Sequence, residues 1–263
     1  MAIITKGKVI TVTSMKGGVG KTMSVLLMAE LFKKNKLKTL VMDLDLYNGD
    51  IAFALNLDVK SNIYNLCDDI ANNRYKTDSK DEYIVHYCDY IDVLASPKDL
   101  RYASKIDRES LEIIIKSMLN KYDVVLIDTN HILSVTNMVA FENSDALVNI
   151  FTNDAMDLKS TKSFVSICKN MNVENLYLAI NTVVDERKKY FSQMEIESII
   201  KKKINFIVPS NFYIKNIDKH IIDGDLLSCY EKILKYKVEQ IVDFSHSVLN
   251  LLNNKGDLEN EKE

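Results

Sequence analysis

The 263-residue chain is 47% hydrophobic and 27% charged, the balance of a globular protein able to bury a sizeable core. A net charge of −3 and an isoelectric point near 5.9 give no global basic field for drawing in nucleic acid. No apolar run approaches the roughly 18 residues that span a bilayer. Met1 to Lys6 lead into a strand without a signal-peptide pattern, so a cytoplasmic location and no integral membrane segment are expected.

Val9 to Thr13 is a short β-rich segment that stops at a glycine-rich turn. Lys21 to Lys34 follows as a helix, with Val25, Leu26, Met28, Ala29 and Phe32 forming a broad apolar side. Thr39 to Met42 is a buried strand ending at Asp43, and Tyr90 to Ala95 is another, closed by Ser96 and Pro97. Leu111 to Leu119 reads as a helix, and Asp123 to Ile127 as an apolar strand ending at Asp128. Ala146 to Phe151, Leu176 to Ile180 and Ile204 to Val208 complete about seven strands, whose near-continuous apolar runs suit cover on both faces. The spacing is that of βαβ units, so the expected fold is α/β: a doubly wound, mostly parallel sheet with helices on both faces. No composition break divides residues 1–254, which are expected to form one domain, and the polar residues 255–263 a frayed tail. Cys67, Cys88, Cys168 and Cys229 lie far apart with no C-x-x-C pair, so neither a disulfide framework nor a zinc or iron–sulfur site is expected.

The segment Lys16-Gly17-Gly18-Val19-Gly20-Lys21-Thr22 sits between the first strand and the first helix, and holds three of the seven glycines. Glycines there let the backbone wrap phosphates with its N–H groups, and the helix adds its positive end. Lys21 supplies a cation for the β- and γ-phosphates, and the Thr22 hydroxyl is placed to ligate Mg²⁺. With Met23, these residues define a P-loop for ATP and Mg²⁺. Asp43 and Asp45 stand where a strand leaves the C-terminal edge of the sheet, the edge at which ligands of open α/β sheets bind. Carboxylates there suit phosphoryl transfer, which mainly needs a positioned water and neutralised charge. Asp128 ends a Walker B-like strand and is expected to hold Mg²⁺ through water. His131, alone in the following loop, is read as incidental to catalysis.

The loop has Met15 where the usual first glycine would stand, and an additional lysine, Lys16. It resembles the deviant Walker A motif, K-G-G-x-G-K-[ST], of the MinD/ParA superfamily, and the resemblance runs from Val9 to about Leu227. It implies a homodimer with ATP at the interface and Lys16 acting on the partner's nucleotide. It implies that Asp43 supports the Mg²⁺ shell through water, that Asp45 orients the attacking water, and that turnover is slow. It further implies that Asn181 and the backbone around Pro209 clasp adenine, an amide offering both a donor and an acceptor. Most members follow the Walker B-like aspartate with a proline-containing turn; here the sequence is Thr129-Asn130-His131, which leaves the switching of that loop open.

Within the superfamily, the stretch from Asp45 through Gly49-Asp50 to Leu57 resembles the TadZ/CpaE pilus-assembly group, as do Ser61 to Leu66, Leu94 to Pro97, and Val208 through Asp223 to Leu227. That group commonly carries a receiver-like domain ahead of the ATPase half, to which these residues correspond. The implied role is an ATP-dependent switch that positions or assembles pilus or secretion machinery with a protein partner, recruited to a pole or a membrane-associated complex. Alternatives are a ParA-like DNA-partitioning ATPase and a scaffold that binds ATP without hydrolysing it. The DNA reading needs a basic surface, for which Arg187 to Lys189 and Lys201 to Lys203 are the candidates. A MinD-like membrane role needs a basic amphipathic C-terminal helix. The stripe Val238, Ile241, Val242, Val248, Leu249 and Leu252 is expected instead to pack on the domain.

Overall fold

The computed structural model describes residues 7–75, 82–183 and 190–253. Arg187 to Lys189 and residues 255–263 fall outside them. The strands are β1 (Lys8–Thr13), β2 (Thr39–Leu44), β3 (Val85–Cys88), β4 (Ile91–Leu94), β5 (Val124–Thr129), β6 (Ala146–Phe151), β7 (Leu176–Asn181) and β8 (Phe206–Val208). Among the described residues they form one eight-stranded sheet in the order β3-β4-β2-β5-β1-β6-β7-β8, parallel throughout except for β3 against β4. The chain enters at β1 in the middle and adds strands on both sides, so the C-terminal ends of the parallel strands share one edge.

The sheet therefore has one strand more than the sequence suggests. β3 is short, antiparallel, only half-buried and interrupted by a register shift between His86 and Cys88, so it lacks the apolar run that marks the central strands. Three central strands also run one or two residues further than expected, placing Asp43, Asp128 and Asn181 inside β2, β5 and β7.

Side chains alternate between the two faces with period two. Ile10, Val12, Val41, Leu126, Val148 and Ile150 pack with α1 (Lys21–Lys34), α9 (Leu226–Ile233) and α10 (Glu239–Asn250). On the opposite face Val9, Leu40, Met42 and Ile127 pack with α3 (Ile63–Ala71), α4 (Arg108–Met118) and α5 (Val135–Glu142). Leu147, Phe151 and Leu178 continue that layer with α6 (Ala155–Asn170) and α7 (Gln193–Ile200). Two shorter helices, α2 (Ile51–Ala54) and α8 (Ile217–Asp223), lie along the first face.

Helix α1 is buried from Ser24 through Phe32 because α9 and α10 cover the side that would otherwise meet solvent. Ile241, Val248 and Leu252 of the C-terminal stripe enter the same core, and so does Phe244, which lies outside that stripe. Phe244 stands edge-on to Phe206 and Phe212, with centroids 6.1 and 5.1 Å apart, contacts that add about 0.5–1.5 kcal/mol each beyond area burial. The C-terminal helix is thus a structural strap. No helix among the described residues is long and apolar enough to cross a membrane.

Candidate functional site

The loop between β1 and α1 is shaped by two left-handed glycines, Gly18 at φ 74° and Gly20 at φ 85°, a conformation strained for other residues. A Cβ built on Gly17 or Gly18 meets nothing within 4 Å, so this side of the loop faces open space. Helix α1 starts at Lys21 with no acidic residue in its first turn and no side-chain cap on its first N–H groups. A 14-residue helix ending this way presents unsatisfied donors and the positive end of its dipole to an anion.

Behind the loop, the side chains of two inner strands converge. Lys21 Nζ lies 3.1 Å from Asp128 Oδ1, and both groups are nearly buried. The Thr22 side chain stands beside Asp128 and favours its ionised form. Asp43 stands opposite Asp128 in the β2–β5 register, and both are buried. Burial pushes the Asp43 carboxyl well above its ordinary range, and the neighbouring Asp128 charge pushes it further. Burial raises Asp128 as well, against the opposing effects of Lys21 and the Thr22 hydroxyl. Asp45 is half-exposed and accepts from the Asn48 N–H at 3.1 Å. Asp50 is raised by burial and then by Asp45, with Lys21 acting the other way.

Four carboxyls therefore surround one ammonium. This surplus of negative charge, with hard oxygen donors and the Thr22 hydroxyl, fits Mg²⁺, which takes few carboxylates and keeps several waters. Both oxygens of Asp43 are already engaged: Oδ1 accepts from Asp45 N at 3.1 Å, and Oδ2 from Ile51 N and Ser96 Oγ at 3.3 Å. Asp43 accordingly fits a supporting place behind water better than direct ligation. Gly49 closes over it so tightly that a Cβ there would lie 1.7 Å from Ser96 Oγ and 2.7 Å from Asp43 Oδ2.

The remaining sequence-predicted residues divide. Lys16 is turned away from this cluster, its Nζ 3.3 Å from Asp154 Oδ1, and both side chains are substantially exposed. Asp154 also caps α6, accepting from the Met156 and Asp157 N–H groups. Asn181 donates from Nδ2 to the Val19 carbonyl at 2.8 Å and accepts from the Val183 N–H at 2.9 Å. Its amide thus ties the P-loop to β7 and closes an Asx turn, with one N–H of Nδ2 left over. Pro209 ends β8, and its carbonyl accepts from the Phe212 N–H at 3.1 Å. A cavity of about 200 Å³ nevertheless brings Gly20, Met23, Asn181 and Val208 together within apolar walls. A larger one of about 330 Å³ opens on the other side of Asn181, beside Lys16, Val19 and Asp154. His131 is exposed.

Sequence reading missed several supporting residues. Ser96 was visible only as a strand stop, and Asp154 was not singled out at all. After Asp128, Asn130 Oδ1 accepts from both the Ile132 N–H and Asn137 Nδ2 at 2.9 Å, so amide hydrogen bonds shape this turn. Just beyond it Ile132, Leu133 and Val135 are 53%, 42% and 63% exposed, an apolar stretch beside the site.

A glycine-rich turn from the central strand into an uncapped helix, backed by a lysine, a threonine and buried aspartates at one sheet edge, defines a P-loop NTPase fold. Residues 7–180 match the AAA_31 family model, described as an AAA domain, and the chain belongs to that family. An uncharacterised ATP-binding protein of Methanocaldococcus jannaschii is 22% identical over 206 residues, covering 78% of this chain and 75% of that protein. The fold is that of the MinD and ParA ATPases. The ParA family ATPase of Chlorobium tepidum superposes with a TM-score of 0.74 at 18% identity, over 94% of this chain and 99% of the other. Pyrococcus horikoshii MinD, solved with Mg-ADP, superposes with 0.73 at 18% identity, over 93% and 96%.

Proposed function

We propose that this chain binds Mg-ATP at the P-loop and hydrolyses it slowly, as a dimerising switch that positions or assembles pilus or secretion machinery. The observation carrying the ATP reading is the meeting of the uncapped α1 terminus, Lys21 and Thr22 with the buried pair Asp43 and Asp128. The loop N–H groups and Lys21 bind the phosphates, Lys21 exchanging its bond to Asp128 for the β- and γ-oxygens. Thr22 binds the metal, with Asp43 and Asp128 acting through water. When bound there, Mg²⁺ would supply charge neutralisation for the phosphates. Asp45, the most exposed of these aspartates apart from Asp50, accepts a hydrogen bond from the attacking water. Adenine enters the smaller cavity, where Met23 and Leu27 offer apolar contact and Asn181 its remaining N–H.

Dimerisation is supported by the exposed Ile132, Leu133 and Val135, with Met156 68% exposed near Lys16. Lys16 leaves Asp154 to reach the partner's nucleotide, an exchange of one exposed ion pair, which contributes about 0–1 kcal/mol. The pilus reading rests on the Asp45 to Leu57 stretch, in which the buried approach of Gly49 to Asp43 ties a group-like residue to the metal side of the site.

DNA partitioning is the second reading, favoured by the ParA likeness. Lys201 and Lys203 are exposed at the end of α7, against a net charge of −3. With saturating Mg-ATP the wild-type chain is expected to sediment as a dimer and release phosphate, while Lys16→Ala stays a monomer that still holds ATP. A monomeric wild type, or a dimer of Lys16→Ala, contradicts the switch. Dimerisation without phosphate release would leave an ATP-binding scaffold, and strong, salt-sensitive retention on DNA would favour partitioning.

A further inference from the structure

Helix α8 is an odd piece of the fold. It has seven residues, none fully buried, and it is bounded by two left-handed positions, Asn216 at φ 56° and Gly224 at φ 71°. Among the described residues, the half-buried Ile217 and Ile221 are the apolar side chains that attach it to the core. A helix so short is marginal without outside support. At its C-terminal end His220 turns toward α9, where Asp225 and Cys229 lie four residues apart and hence on one helical face.

We propose that His220, Asp225 and Cys229 form a zinc site at the joint between α8 and α9. His220 Nδ1 is 2.8 Å from Asp225 Oδ1 and 3.5 Å from Cys229 Sγ, and the three donor atoms all lie within 4.8 Å of one another. Zinc bonds of about 2.0–2.1 Å to nitrogen or oxygen and about 2.3 Å to sulfur give tetrahedral edges of about 3.3 Å for N···O and 3.6 Å for N···S. Of the three edges, N···S already matches, N···O needs the carboxylate to move outward by about half an ångström, and O···S lies within 4.8 Å. The donor types suit zinc: imidazole, carboxylate and a thiolate. A thiolate and a carboxylate also neutralise the ion, so no net charge is left at the joint. As the zinc–sulfur bond forms, the thiol proton passes to solvent, and a water completes the fourth position. None of the cysteines is disulfide-bonded, and the half-exposed positions of His220 and Cys229 leave the site open to an ion from solution. Bound zinc would staple α8 to the well-buried α9 through Leu226, Leu227 and Tyr230. The sequence conceals this site because its donors are spaced five and four residues apart across a helix joint, with no C-x-x-C pair to announce it.

The test is a titration of the nucleotide-free protein with Co²⁺, which reports a cysteine ligand by a thiolate charge-transfer band that a carboxylate site cannot produce. The wild type and Cys88→Ser should develop the band at one equivalent, and Cys229→Ser should not. Zn²⁺ affinity, read by calorimetry, should fall at least tenfold in His220→Ala, since even outer partners of metal ligands contribute about 10–100-fold. In the unmutated protein, Zn²⁺ should slow alkylation of Cys229 by iodoacetamide, a readout that does not depend on any variant folding. No band in the wild type, an undiminished band in Cys229→Ser, or unprotected Cys229 at saturating Zn²⁺ would overturn the site.

Discussion

Asp43 and Asp128 carry the strongest constraint at the level of single residues. Both are buried, both are held above the ordinary carboxylate range by desolvation, and only Lys21 and a few hydrogen bonds oppose that. As pH falls through the raised values, the nucleotide-free protein takes up protons at groups that titrate near 3.9 in an unfolded chain. The metal-bound form needs these carboxylates ionised. Mg-nucleotide binding should therefore release protons, and weaken, as pH falls through those raised values. Calorimetry in buffers of different ionisation enthalpy reads the proton release directly, and a pH-independent affinity across that range would be the contrary result. The nucleotide-free fold has the opposite sign: with pKa values raised on folding, these two groups favour it increasingly as pH falls toward about 3.9. Asp45 has a different task, since it is half-exposed and its carboxylate accepts from a nearby loop N–H. Asp45→Ala should keep nucleotide affinity and dimerisation while lowering phosphate release by about 100-fold or more. Loss of nucleotide instead would exchange its role with that of Asp43.

At the scale of elements, the turn from β2 into α2 controls the metal side of the site. The Ile51 N–H at the start of α2 and the Ser96 hydroxyl after β4 both hold Asp43, and Gly49 lets the chain pass between them. Gly49→Ala should destabilise the protein by about 1–3 kcal/mol, the range of an overpacked core, and lower Mg-ATP affinity with it. Because two of its three nearest contacts are Ser96 atoms, adding Ser96→Gly should restore part of the melting temperature. A stable Gly49→Ala single variant with full affinity would disprove the steric account. The glycine was legible in the sequence as part of a motif, but the reason for it was not. Its neighbour across the turn lies 47 positions away, on a strand end that reads only as a stop. Asn181 repeats the lesson: its position after an apolar strand was readable, whereas its bond to the Val19 carbonyl required the sheet order that puts β7 beside the P-loop side of the sheet.

For the whole molecule, central strands were easy to read because cover on both faces forces continuous apolar runs, as in Val124 to Ile127 and Ala146 to Phe151. Edges and short helices were not, because β3, α2 and α8 are only partly buried and carry weak periodicity. The C-terminal helix could be read as core packing, yet the aromatic anchor Phe244 was missed, since its partners Phe206 and Phe212 come from a distant strand and turn. All of the functional account depends on the P-loop and the carboxylates behind it acting as one nucleotide site. Titrating Mg-ATP into wild type and Lys21→Ala by calorimetry tests this most directly. The wild type should bind one nucleotide per chain, and the variant should lose about 2–5 kcal/mol, as when one partner of a desolvated charge pair is removed, or roughly 30-fold to several thousand-fold in affinity. No heat from the wild type, or equal affinity in Lys21→Ala, would contradict it.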